Sequence, residues 1–359
     1  MFQSLQTQPF GRRAGARLVP IRQRLTRHGI AARLAAAARW AGVSVHRPSL
    51  RQVFLLFPLL LLSAPALVRA AASERVPVAA RQGEPARVQG AVSIRVRPGG
   101  WGAADERDIA RVLGFVAGVL APAFPRHAGA IIDIAYRPEG PTTLLERMPD
   151  GAYRMYLSVQ DTRWDQFTYQ FAHEYCHVVT NAEQRARQDA AVLGTQWFEE
   201  SMCEAVSLLA LQRVAARWEQ APPVDIAPGY ATAFSEYAQR LMSQAHRRLP
   251  VGAPADRPLE NWYAANRVSL QLDPYLRPKN EVVAGALHAW LRDSEGALET
   301  IGFIGVDGLR NIGDGQVFPA YLERWRGNTP ERLRDNVRWV QALFGLASPP
   351  ASRVRVVER

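Results

Sequence analysis

The chain has 359 residues, 48% of them hydrophobic, a formal net charge of +11 and two cysteines. That apolar content builds a sizeable core and excludes a wholly disordered chain, and two cysteines exclude a disulfide-dense scaffold. The length suits two or three domain-sized units, or one two-lobed domain.

The positive charge invites a nucleic-acid partner, but its distribution argues against one. Residues 1–72 hold eleven arginines, Arg12 to Arg69, and no acidic residue; the first acid is Glu74. Residues 73–359 carry equal numbers of basic and acidic groups and are neutral. The excess is confined to the N-terminal fifth.

Within that fifth, Val53 to Val68 reads VFLLFPLLLLSAPALV. It is apolar and uncharged, but interrupted by Pro58 and Pro65 and shorter than the roughly 20 residues of a membrane-spanning helix. Arg47 and Arg51 precede it, and small residues follow at Val68-Arg69-Ala70 and Ala70-Ala71-Ala72. Positive flank, apolar stretch and cleavage site in that order make a secretory signal peptide with a basic N-terminal extension over residues 1–70. The expected location is therefore the periplasm or the exterior, with cleavage near Ala70–Ala72. An uncleaved membrane anchor facing the periplasm is the alternative. The apolar run begins well inside the chain, which a start near Val43 or Val45, or a long basic leader, would explain.

Residues 71–91 are rich in Pro, Gly, Ala and Arg and read as a linker. Val92 to Arg97 alternates as a strand does, and Gly99 to Gly102 breaks it. From Ala104 to Leu120, Ile109, Val112, Val116 and Leu120 recur at helical spacing, and Asp105 and Glu106 suit the helix N-terminus. Ala130 to Tyr136 is a second strand. Residues 137–151 read as a loop, with turns at Glu139-Gly140-Pro141 and Pro149-Asp150-Gly151. Tyr153 to Val159 alternates, and its pattern suggests a half-buried strand at a sheet edge. Asp161 or Thr162 would cap a helix running to Asn181.

A polar stretch, Ala182 to Gly194, separates that helix from one capped by Thr195 and running from Gln196 to Trp218. Beyond it the pattern is helical, with helices over Tyr230–Arg247, Asn280–Leu291, Phe318–Arg324 and Glu331–Phe344. The expected fold is α+β. A sheet-containing lobe over residues 92–181 ends in the 162–181 helix, a helical lobe covers 182–346, and 347–359 form a tail.

The helix at 162–181 carries His173-Glu174-Tyr175-Cys176-His177, an H-E-x-x-H motif. Residues four apart lie about 40° apart around a helix, so both imidazoles face one way and can bind one Zn²⁺. Glu174 lies on the same side, where it can take a proton from a water beside the metal. A catalytic zinc wants three protein ligands and an open position. The stretch Trp197-Phe198-Glu199-Glu200-Ser201-Met202-Cys203-Glu204 supplies the third. Glu200 is favoured, because Glu204 one turn on can accept the outer N–H of a zinc-bound histidine. Glu199 has only Cys203 at that spacing and reads as a solvent-facing residue at a helix start.

H-E-x-x-H followed by W-x-x-E resembles the gluzincin metallopeptidases, which have a zincin-like, peptidase MA-like fold. The resemblance covers about residues 92–215. Trp197 to Met202 take the places of the W-L-N-E-G-F pattern of zinc aminopeptidases, which puts Glu200 at the ligand position. Ser201 stands where that pattern has glycine, the interval from His177 is longer, and a G-x-M-E-N signature is lacking. The resemblance implies a transition-state donor from the second lobe, for which Tyr230, Tyr237, Tyr263 and Tyr275 are candidates. Asp-Pro-Tyr275-Leu-Arg-Pro-Lys279 loosely resembles the Y-x-K-G segment of that branch; a buried or interface tyrosine is the competing reading.

Cys176 and Cys203 each lie three residues after a ligand, on helices that must approach one another. A disulfide between them is one expectation and a pair of small buried residues the other. A ligand role is disfavoured, since each points away from its helix's ligand face.

The expected activity is zinc-dependent peptide hydrolysis with Glu174 as general base. A peptide or protein would be the substrate, with the strand bearing Tyr153, Met155 and Leu157 pairing with it. A zinc hydrolase of a non-peptide substrate, and a non-enzymatic envelope protein with a structural metal, are the rivals.

Overall fold

The computed structural model describes residues 91–180, 193–224, 229–249, 257–306, 317–348 and 350. The leader, the linker up to residue 90, the polar stretch at 182–192 and the tail beyond 350 lie outside them. The described residues form a mixed α+β fold in which a small sheet comes first and helices follow. No helix among them is long and apolar enough to cross a membrane.

The first unit is a strand–helix–strand crossover. β1 (Ser93–Val96) pairs in parallel with β2 (Ile131–Tyr136), and α1 (Glu106–Leu120) connects them. Asp105 caps α1 by accepting from the Arg107 N–H at 2.8 Å. Ile109, Val112, Leu113, Val116 and Leu120 form its buried stripe. In β2, Ile132 and Ile134 enter the core while Asp133 faces the other way. That carboxylate is satisfied by Arg97 Nε at 2.9 Å and Arg154 Nη2 at 2.6 Å, which also tie β1, β2 and the strand at Tyr153–Leu157 together.

β4 (Tyr153–Leu157) is not the sheet edge that its alternation suggested. It pairs in parallel with β2 and antiparallel with β3 (Thr142–Arg147), giving the order β1-β2-β4-β3. The segment read as a loop therefore contains the edge strand. Its residues, Thr-Thr-Leu-Leu-Glu-Arg, do not alternate, and the register shifts between Thr143 and Arg147. A bulged strand with one open side loses the period-two signal. The two turns expected around it are present, with Gly140 and Gly151 at φ +123° and +80°.

α2 (Trp164–Val179) follows, buried around nearly its whole circumference. Asp161 and Thr162 do not cap it with their side chains. Asp161 sits at φ +60° and accepts from the Ala103 N–H at 3.0 Å, which fastens the end of β4 to the Gly99–Gly102 loop. Gly102 is needed there, because a Cβ would come within 2.3 Å of the Asp161 carboxylate at φ +67°. The α2 N-terminus is served instead by Tyr230, whose hydroxyl accepts from Trp164 N–H at 2.7 Å and donates to Thr162 O at 2.9 Å.

The remaining described elements are helices: α3 (Leu193–Trp218), α4 (Tyr230–Ser243), α5 (Pro258–Leu272), α6 (Arg277–Asp293), the short α7 (Ala297–Ile301), α8 (Val317–Asn328) and α9 (Arg334–Leu343). α3 begins before Thr195, which is therefore inside the helix rather than its cap. Trp197 and Phe198 anchor its first turns in an aromatic cluster. The Trp197 ring lies 4.8 Å from Phe318 and 5.5 Å from Tyr263, and Phe198 lies 5.2 Å from Phe318. A disulfide joins Cys176 on α2 to Cys203 on α3, with Cα atoms 5.2 Å apart. Aromatic anchor and disulfide together set how α3 faces α2.

Candidate metal centre

Helical spacing places His173 and His177 on one face of α2, with ring centroids 5.1 Å apart. From α3, one carboxylate oxygen of Glu200 faces both. Oε2 lies 3.3 Å from His173 Nε2 and 3.7 Å from His177 Nε2. The other oxygen accepts from Gln196 Nε2 at 2.9 Å, one turn earlier. Ligands of a tetrahedral zinc, bound at about 2.0–2.1 Å, stand about 3.3 Å apart. The three side chains thus fit a Zn²⁺ ion in donor type and spacing, and their ligand atoms all fall within 4.8 Å of one another.

Glu174 is the next residue along the same helix and only 4% exposed. Burial pushes its carboxyl above the ordinary range, while His177 and His173 pull it back. Thr143, on edge strand β3, donates to the Glu174 backbone carbonyl at 3.2 Å. One hydroxyl therefore fastens the sheet edge to the residue that would act as base. For Glu200, burial would raise the carboxyl, but the two imidazoles outweigh it and hold the group well below the usual carboxylate range.

Glu199 corrects the sequence reading. It is wholly buried, not solvent-facing. Its Oε1 lies 2.9 Å from His177 Nδ1 and accepts from Thr180 Oγ1 at 2.9 Å. A carboxylate can only accept, so Nδ1 carries the proton and the Nε2 lone pair is turned toward Glu200. The role expected of Glu204 toward a histidine is thus performed at His177 by Glu199. Adjacent helical residues point about 100° apart, and His177 lies on the side of α3 that Glu199, not Glu204, faces.

Glu204 stands near the other histidine, with Oε2 3.9 Å from His173 Nδ1, beyond hydrogen-bond length. It is held in a buried network that the sequence did not disclose. Tyr169 donates to it at 2.6 Å, and Arg247 Nη1 donates to Oε1 at 2.6 Å. Arg247 Nη2 donates to Glu281 at 2.8 Å, as does Arg277 Nε at 2.6 Å, and His246 also contacts Glu281. Arg277 closes the loop by reaching Tyr169 OH at 3.3 Å. Burial and then the Glu204 charge push the Tyr169 hydroxyl well up, so it remains a donor.

The tyrosine candidates separate by position. Tyr230 caps α2, and Tyr263 stacks on Trp197 in the aromatic cluster. Tyr237 packs edge-on against Tyr169 at 5.6 Å. Tyr275 is half-buried in the turn before α6, two residues from Arg277, and its N–H bonds Asp273 at 3.0 Å.

Tyr153, Met155 and Leu157, expected on a strand that would pair with the substrate, are buried. Their side chains are 5%, 0% and 0% exposed, and the β4 backbone is already paired on both sides. Comparison with protein-family models, with curated proteins and with solved structures gives no match.

Proposed function

We propose that this chain is a zinc-dependent peptidase of gluzincin type, with the sheet and α2 as a zincin-like first lobe and the later helices as the second. The observation that carries this reading is the approach of both Nε2 atoms to one Glu200 oxygen, at 3.3 and 3.7 Å, with Glu174 next to His173 on the same helix. His173, His177 and Glu200 would hold the ion. When bound, zinc supplies Lewis acidity toward a carbonyl and lowers the pKa of a neighbouring water.

The chain's own groups do the rest. Glu199 holds His177 in the tautomer that turns Nε2 inward. Glu174 takes the proton of the attacking water and hands it to the leaving amine, so the amine departs neutral. β3, paired on one side only among the described residues, offers its other side to an extended peptide, and Thr143 sets that edge beside Glu174. Tyr275 is the proposed donor to the developing oxyanion. The Cys176–Cys203 bond supports an oxidising compartment, in keeping with a secretory leader ending near Ala70–Ala72.

A peptide library incubated with the zinc-loaded chain should yield new amino termini. Phenanthroline should stop the cleavage and added zinc should restore it. Cleavage that persists in the chelator, or hydrolysis confined to small non-peptide amides and esters, overturns the reading.

A further inference from the structure

The disulfide touches the metal centre more closely than helix spacing suggests. Cys203 Sγ lies 3.6 Å from His177 Nδ1, on the side of the ring away from Glu200. Glu199 Oε1 lies on that same side, 2.9 Å from Nδ1. The three ligand atoms of His177, Glu199 and Cys203 fall within 4.8 Å of one another, and all three residues are buried. Cys203 does point away from the face of α3 that carries Glu200, yet this turns it toward the outer nitrogen of His177.

We propose that His177 Nδ1, Glu199 and Cys203 form a second, competing metal site in the thiol form of the chain, and that the Cys176–Cys203 bond closes it. A zinc bound by imidazole at about 2.0–2.1 Å and by thiolate at about 2.3 Å separates nitrogen and sulfur by about 3.6 Å, which is the spacing observed. Thiolate, carboxylate and neutral imidazole balance the two positive charges of the ion. An electroneutral cluster suits a buried position, and thiolate is a favoured ligand for zinc.

The two sites exclude each other. A neutral imidazole has one lone pair, on whichever nitrogen lacks the proton. Binding at Nδ1 moves the ring proton to Nε2 and removes the lone pair that faces Glu200, while the Cys203 thiol releases its proton to water. The disulfide takes the sulfur out of play and leaves Glu199 as the acceptor that turns Nε2 inward. Oxidation of the two thiols would therefore have to precede correct metal loading. That consequence rests on the zinc site proposed above; the thiolate site itself does not.

Cobalt(II) titration distinguishes the possibilities. Cys176→Ser and Cys203→Ser both lose the bond, but only the first keeps the thiol beside His177. Cobalt-loaded Cys176→Ser should show a thiolate-to-cobalt charge-transfer band in the near ultraviolet, which wild type and Cys203→Ser lack. Adding Glu199→Gln to Cys176→Ser should weaken its cobalt affinity about tenfold or more. Cobalt bound to Cys176→Ser without that band overturns the proposal. If circular dichroism shows that Cys176→Ser does not fold, wild type reduced by a phosphine replaces it. One phosphine and one water convert the disulfide to two thiols and a phosphine oxide, and the same band then decides. The band in Cys176→Ser, with no cobalt taken up by wild type or Cys203→Ser, would support the thiolate site while sinking the first one.

Discussion

If the proposed function holds, Glu174→Gln should leave zinc bound and lower kcat/KM for peptide cleavage by about 10²–10⁴-fold, the range of a lost general base. Glutamine has nearly the same shape as glutamate and leaves the Thr143 bond to the backbone carbonyl in place. Its amide cannot accept a proton from water at neutral pH. The three atoms that would hold the metal come from other residues, so metal content measured by atomic emission should stay at one zinc per chain. Activity within tenfold of wild type would remove Glu174 from the mechanism. Loss of zinc together with activity would mean that it supports the ligands instead.

Arg247→Ala should destabilise the fold by about 3–5 kcal/mol, the cost of leaving a buried carboxylate without its partner. The Arg247 side chain is 4% exposed and bridges Glu204 and Glu281, which are 5% and 4% exposed. Glu281 retains Arg277 and His246. Among the described residues Glu204 retains Tyr169 as a hydrogen-bond donor and the nearby Arg277 charge, so the loss falls mainly there. Denaturant unfolding should show the drop in midpoint. Adding Glu204→Gln should recover part of it, because the amide carries no charge to strand. A change below about 1 kcal/mol would mean that the network is solvated and contributes little.

The parts of the fold that the sequence disclosed are those with a single strong period. α1 carries an apolar stripe, β2 and β4 alternate, and α2 bears the H-E-x-x-H spacing on one face. β3 escaped because an edge strand with a shifted register has no alternation, although the turns on either side of it were evident. The edge character assigned to β4 followed from its pattern, but alternation reports which face is buried and not how many neighbours a strand has. α5 carries no strong period in the sequence, because it buries only Leu259, Tyr263 and Leu270.

The site divides in the same way. His173, His177 and Glu200 meet because local helix geometry and one inter-helix approach suffice to bring them together. Glu199, Arg247, Glu281 and Tyr169 depend on the rotation of α3 and on segments far apart in the chain. No spacing rule reports that. The neighbouring pair Glu199-Glu200 was the available signal, since two carboxylates at a helix start facing two histidines can serve as ligand and outer acceptor.

In the proposed function His173, His177 and Glu200 hold a catalytic zinc. Anomalous diffraction at the zinc edge, from crystals of the oxidised chain grown with zinc, tests it most directly. The expected result is one peak about 2.0–2.2 Å from His173 Nε2, His177 Nε2 and a Glu200 carboxylate oxygen, with no fourth protein ligand. A peak on the Nδ1 side of His177, a peak with four protein ligands, or none between α2 and α3 would contradict it.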